Sequence, residues 1–148
     1  MLTSLVGIRR LYVDTAPLVY YTEKHPQYVD KMRLLIEQVN ANRLEFFTSV
    51  ITLTECLTKP LKEGDASIVH AYTAMLHESA GISLVPLNAT IARRAADFRA
   101  AYNLRTPDAL HIATATTTDC DAFLTNDFGL RRVAELRVLT LDALDISD

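Results

Sequence analysis

Apolar positions along the chain follow two alternating rhythms, short runs with a two-residue period and longer segments with apolar residues three to four apart. Leu11 to Val13 reads as the end of a buried strand that stops at Asp14, and residues 16–23 then read as a helix broken by His25 and Pro26. Tyr28, Met32, Leu35 and Val39 form one stripe and predict an amphipathic helix over 27–41. A strand over 44–50 follows, then a helix over 51–58 that Pro60 is expected to end, and a helix over 65–79 with Gly81 as its stop. The stripe of that second helix is Ile68, Tyr72, Met75 and Ser79. After a short strand over 82–85, Asn88 can cap a helix carrying Ile91, Ala95, Phe98 and Tyr102 on one face. The remaining elements are a helix starting at Pro107, a strand over 122–125, a short helix over 127–134 and a strand over 137–141.

Strands and helices therefore alternate along 148 residues, a length that suits one domain, 1–148, with a full core. Right-handed crossovers would wind the strands into a parallel sheet of four to five strands with helices on both faces, an α/β three-layer α/β/α architecture. That winding has a consequence for chemistry. A helix leading into a strand finishes at the amino edge of the sheet, so the helix from Pro107 must begin at the carboxyl edge, where ligands bind in open parallel sheets.

Four acids are expected at that edge. Asp14 ends the first strand, with Thr15 as a hydroxyl cap and Pro17 in the first turn of the next helix. Glu55 lies in the early turns of the helix leaving the second strand. A capping box of Thr52 with Glu55 is the simpler role for it, but Thr48 and Ser49 are better placed to cap. Asp108 falls in the first turn of a helix that Thr106 is expected to cap, where the helix dipole stabilises a carboxylate by roughly 0.3 to 1 kcal/mol. Asp127 directly follows the fourth strand and could simply cap the short helix after it. Each has a local explanation, yet none of these explanations predicts that all four share one edge.

Carboxylates gathered in this way raise one another's pKa unless a cation joins them, and an all-oxygen set suits Mg²⁺ or Mn²⁺. Such an ion would support attack of water on a phosphodiester. The formal net charge of −3 at first argues against a nucleic-acid partner. With the four acids assigned to a metal, however, 15 basic residues face 14 remaining acids.

Other features narrow the class. Arg9 and Arg10 interrupt the apolar N-terminus, no apolar run is long enough for a membrane span, and a cytoplasmic protein is expected. Cys56 and Cys120 sit in apolar segments without a zinc or disulfide pattern and are expected as buried thiols. His111 follows Asp108 by one turn on an Ala-rich helix, where a hydrogen-bonded core histidine is expected. Asp119 and Asp121 precede the fourth strand at the opposite edge and read as loop residues.

The segments VDTAPLVY, SVITLTE, TPDALHIATA and FLTNDFGL together resemble the PIN-domain ribonucleases, and most of all the VapC-type toxins of toxin–antitoxin pairs. The resemblance runs from Leu11 to Leu141 and is weakest over 60–100. It implies that Asp14, Glu55, Asp108 and Asp127 are the catalytic, metal-binding quartet, with Thr15 and Asn126 as polar neighbours. It also implies Mg²⁺- or Mn²⁺-dependent in-line hydrolysis of RNA, a small antitoxin that blocks the site, and a homodimer. Arg105, Arg131 and Arg132 are placed to meet RNA phosphates.

A haloacid-dehalogenase-like phosphatase would need a second acid at Ala16, and a receiver-like phosphoacceptor would need a lysine that 137–148 lacks. A dinucleotide-binding domain would need glycines after the first strand. A PIN-fold RNA-processing nuclease outside a toxin–antitoxin pair and a non-catalytic adaptor on the same fold stay open.

Overall fold

The computed structural model describes residues 5–145, so the two ends of the expected 1–148 domain lie outside the described residues. Five parallel strands form one sheet: β1 (Arg10–Val13), β2 (Glu45–Ser49), β3 (Ile82–Val85), β4 (Ala122–Thr125) and β5 (Val138–Thr140). Their order is β3-β2-β1-β4-β5, which puts β1 at the centre and places the reversal of winding beside it. Leu11 is level with Phe46 on one side and Ala122 on the other.

Strand alternation sorts the core into two layers. Leu11, Val13, Phe46 and Leu124 face α1 (Thr15–Thr22), α2 (Val29–Asn40) and α4 (Ala66–Glu78), which contribute Leu18, Met32, Leu35, Val39 and Leu76. Tyr12, Phe47 and Phe123 face α5 (Ala89–Tyr102) and α6 (Thr106–Thr117), which bring Ile91, Ala95, Phe98, Ala109, Ile112 and Ala113. The three layers match the expected architecture. The small side chains of α6 let it lie close against the sheet, and His111 is buried with them. No helix among the described residues is long and apolar enough to cross a membrane.

Local structure departs from expectation in several places. The helix after β2, α3 (Val50–Glu63), runs through Pro60 instead of ending before it. Proline removes only one bond to the preceding turn, and the stop is Gly64 in the left-handed conformation (φ 68°), with Asp65 N–H bonded to the Pro60 carbonyl at 2.9 Å. Gly81 is not the stop of α4, which ends at Glu78. With φ 85°, Gly81 turns the chain into β3, and a Cβ there would lie 2.6 Å from Val39 Cγ1. On α4 the fully buried positions are Tyr72 and Leu76, while Ile68 and Met75 are half-buried and Ser79 lies beyond the helix. Residues 127–134 form a 3-10 turn over Phe128–Arg132 rather than an α-helix. Cys56 is buried but Cys120 only half-buried, and burial pushes their thiols up to about 12 and about 11.

Two expected caps also shift by one residue. Asp14 is itself the N-cap of α1, its Oδ1 accepting from Thr15 N–H at 2.8 Å, and this leaves the Thr15 hydroxyl for other partners. At α6 the cap position is Arg105, whose side chain makes no capping hydrogen bond, and Thr106 and Pro107 are already helical. Proline is tolerated there because the first N–H groups of a helix have no partner within it. Ser49 caps α3 by accepting from Ile51 N–H, as its position suggested, and Asn88 caps α5.

Candidate active site

Parallel strands bring their carboxyl ends to one edge, and there Asp14, Glu55, Asp108 and Asp127 line a single open cleft of about 450 Å³. Thr15, Arg105 and Asn126 line it as well, with Ala16, Val19, Tyr20 and Thr125 completing the walls. Each acid comes from a different element. Asp14 follows β1, Glu55 projects from the second turn of α3, Asp108 stands in the first turn of α6, and Asp127 follows β4 by two residues. The Asp14 N–H bonds the Leu124 carbonyl at 2.9 Å, which fixes the first acid against β4.

Hydroxyl groups hold the carboxylates. Thr125 Oγ1 donates to Asp14 Oδ2 at 2.8 Å and accepts from Asp127 N–H at 3.1 Å. Thr15 Oγ1 donates to Glu55 Oε1 at 3.0 Å and lies 3.2 Å from Thr52 Oγ1, which in turn meets Thr48 Oγ1 at 2.8 Å. Thr48 donates to the Val13 carbonyl at 2.9 Å, so this ladder is anchored in the sheet. Thr52 therefore supports the Glu55 region through Thr15 and not through a capping box. Asp127 Oδ1 accepts from Gly129 N–H at 2.8 Å, so the acid caps the 3-10 turn while it lines the cleft.

Two cationic or potentially cationic groups sit among the acids. Arg105 Nε is 3.0 Å from Asp108 Oδ2, with the arginine side chain 79% exposed and the carboxylate 14%. Arg105's pKa is raised, chiefly by its hydrogen bond to Asp108. His111, almost fully buried, places Nε2 2.7 Å from Glu55 Oε1 and 3.7 Å from Asp14 Oδ1. It is the hydrogen-bonded core histidine expected, but the expectation missed that its partner is one of the four acids. The signal available was its position three residues after Asp108, on the same side of α6.

The charge balance follows from these contacts. Burial raises the Asp14 carboxyl above its usual range, opposed by His111 and by the bonds from Thr125 and Thr15 and reinforced by Asp108. The hydrogen bond from His111 holds Glu55 below the usual range. Burial is the largest influence on His111 and disfavours its charge, yet Glu55, Asp14 and Asp108 together bring its pKa above the ordinary value.

The all-oxygen donors of the cleft suit a hard divalent cation. Among the described residues no three acidic, His or Cys side chains are already drawn together around one point. Arg105 and His111 instead hold Asp108 and Glu55 individually.

The two arginines after Asp127 do not line the cleft. Arg132 is bonded to the carbonyls of Gly129 and Tyr102, the latter at 2.9 Å, so its guanidinium braces the 3-10 turn. Arg131 is exposed.

The family model for the PIN domain matches residues 11–136, a span that contains all four acids and runs from Leu11 in β1 through the 3-10 turn. The chain belongs to the PIN domain family. Solved structures similar to this PIN domain include VapBC2 from Rickettsia felis bound to a promoter DNA fragment, at 16% identity and TM-score 0.68, covering 92% of this chain and 99% of that one. A toxin–antitoxin complex from Klebsiella pneumoniae matches at 19% identity and TM-score 0.67, over 88% and 97% of the two chains. VapC20 of Mycobacterium tuberculosis, described as a toxin that cleaves the sarcin–ricin loop, matches at 15% and 0.65, over 86% and 98%. At these identities the likeness is one of fold. No curated protein matches the chain.

Proposed function

We propose that this PIN domain is a metal-dependent endoribonuclease that hydrolyses RNA phosphodiester bonds, and that it serves as the toxin of a toxin–antitoxin pair in the cytoplasm. The observation that carries the reading is the meeting of four carboxylates from four separate elements in one open cleft. Asp14, Glu55, Asp108 and Asp127 would hold Mg²⁺ or Mn²⁺, which when bound would supply the Lewis acidity that makes water nucleophilic at neutral pH.

The chain's own residues do the rest. Thr125 and Thr15 hold Asp14 and Glu55 by hydroxyl hydrogen bonds, so these carboxylates keep their orientation without a ligand. Arg105, mostly exposed at the mouth of the cleft, can turn from Asp108 to a phosphate oxygen, and Arg131 can meet a neighbouring phosphate. Asn126 donates to the Tyr20 hydroxyl at 3.1 Å and braces the wall beside Asp127. Acids and an exposed arginine line the same cleft, which suits the phosphates of a polynucleotide strand.

The fold likeness to proteins described as toxin–antitoxin complexes supports a small antitoxin partner; that it covers this cleft, and that the toxin forms a homodimer, are part of the proposal. The purified chain should cleave RNA with Mn²⁺ or Mg²⁺, stop with a chelator, and lose activity in Asp14→Asn and Asp108→Asn while staying folded. Cleavage that persists in both variants would remove the site assignment. A short reading frame upstream that encodes a DNA-binding segment supports the toxin role, and an isolated gene would shift the reading to an RNA-processing nuclease.

A further inference from the structure

His111 has two nitrogen atoms, each with one partner under 3 Å, and Thr15 Oγ1 also lies 3.4 Å from Nε2. Nδ1 is 2.6 Å from the Tyr12 hydroxyl and Nε2 is 2.7 Å from Glu55 Oε1. Both rings are buried, Tyr12 completely, and Tyr12 is stacked on Phe123 with centroids 5.1 Å apart. The chain of contacts thus runs from β1, behind the cleft, through α6 to the acid on α3.

The direction of each bond follows from what the groups can do. An ionised carboxylate only accepts, so Nε2 must carry a hydrogen to approach Glu55 at that distance. A neutral imidazole has one N–H, which leaves Nδ1 bare and in need of a donor, and the Tyr12 hydroxyl is the donor in reach. The opposite tautomer would set the Nε2 lone pair against a carboxylate oxygen. It would also be the form required of a histidine that binds a metal through Nε2.

Glu55 is held on one side only. Oε1 accepts from both His111 and Thr15, whereas Oε2 has no hydrogen-bond partner among the described residues. One oxygen is anchored, and the other is left for the cleft.

We propose that Tyr12 and His111 are positioning residues, a hydrogen-bond chain in which Tyr12 fixes the tautomer of His111 and His111 donates to Glu55 Oε1, presenting Oε2 as the ligating oxygen. His111 is accordingly a neighbour of the metal site and not a ligand in it. The consequence for metal binding rests on the nuclease reading, while the tautomer does not. Partners of this kind change metal affinity about 10- to 100-fold when removed.

The test begins with metal-free protein labelled with ¹⁵N in its histidine rings, observed by long-range ¹H–¹⁵N spectra at mildly alkaline pH. The expected result is His111 with Nε2 protonated and Nδ1 bare. A ring protonated at Nδ1, alone or together with Nε2, overturns the chain. Mn²⁺ titration calorimetry then tests its role. Tyr12→Phe and His111→Leu should weaken Mn²⁺ binding about 10-fold or more, and His111→Gln, whose amide can donate from the place of Nε2, should recover most of the loss. Tyr12→Phe that binds as the wild type does, or His111→Gln no better than His111→Leu, overturns the positioning role. A wild-type protein that binds no Mn²⁺ overturns the nuclease reading and the metal consequence together, and the tautomer measurement still decides the hydrogen-bond chain.

Discussion

Thr125 Oγ1 sits 2.8 Å from Asp14 Oδ2 and gives it a hydrogen bond while receiving one from the backbone of Asp127. One fully buried hydroxyl on β4 therefore orients the first acid and ties down the chain at the last. Thr125→Val keeps the shape and removes both bonds, which leaves a buried carboxylate oxygen and a backbone N–H without partners, at a cost of about 1–3 kcal/mol. RNA cleavage should fall at least 10-fold, and Thr125→Ser should restore it. Thermal melting and single-turnover cleavage check the two effects, and a fully active Thr125→Val would remove the hydroxyl from the mechanism.

Asp14 itself is expected to trade stability for function. Its folded-state pKa is raised, chiefly by burial, so the folded protein holds its proton more tightly than the unfolded chain does. The ionised carboxyl therefore lowers stability at pH above the raised value, and the penalty fades as pH falls to the ordinary carboxylate range. Asp14→Asn should therefore melt higher than wild type at neutral pH in chelator, by roughly 2–4 °C for each 1 kcal/mol recovered. The gap should close towards acid pH. A variant that melts lower at every pH would show that the hydrogen bonds to Thr15 and Thr125 outweigh the burial of charge.

The placement of the four acids is legible in the sequence, because strand and helix periods give the element order and crossover handedness then assigns each chain end to a sheet edge. Asp14, Glu55, Asp108 and Asp127 do line one cleft for that reason. What periodicity could not show was which side chain each acid touches. The Thr125, Thr52 and His111 contacts join residues 37 to 111 positions apart, and their rotamers are set by packing between layers. Local chemistry misled in smaller ways. Pro60 reads as a helix end, yet the αL glycine four residues later supplies the true stop. Thr106 reads as a cap, yet the helix already includes it.

At the opposite edge of the sheet, Asp121 should matter to stability and not to cleavage. Its Oδ2 accepts from the N–H groups of Arg9 and Arg10 at 2.9 and 2.8 Å and so fastens the start of β1 to the turn before β4. These bonds hold its carboxyl below the usual range, so their contribution is present above the ordinary carboxylate pKa and is lost as pH falls through the depressed value. The group is exposed, and screening limits the effect to about 1 kcal/mol. Asp121→Ala should melt roughly 2–4 °C lower at neutral pH, with a gap that narrows in acid and with cleavage per folded molecule unchanged.

Arg105 should report on RNA, and Arg132 on the fold. Arg105 is bonded only to Asp108 and is mostly exposed, so replacing it removes the proposed phosphate contact and frees an acid without opening the core. Arg105→Ala should weaken binding of a non-cleavable RNA several-fold at low salt and lower the slope of log affinity against log salt by roughly 0.7 to 1. Mn²⁺ affinity should not fall, since Asp108 loses a competing cation. Arg131→Ala should lower the salt slope in the same way. Arg132→Ala should instead lower the melting temperature, because its guanidinium bonds the carbonyls of Gly129 and Tyr102 and braces the turn that carries Asp127. Anisotropy titrations across a salt series separate the two classes, and an unchanged slope in Arg105→Ala would take that arginine out of the RNA path.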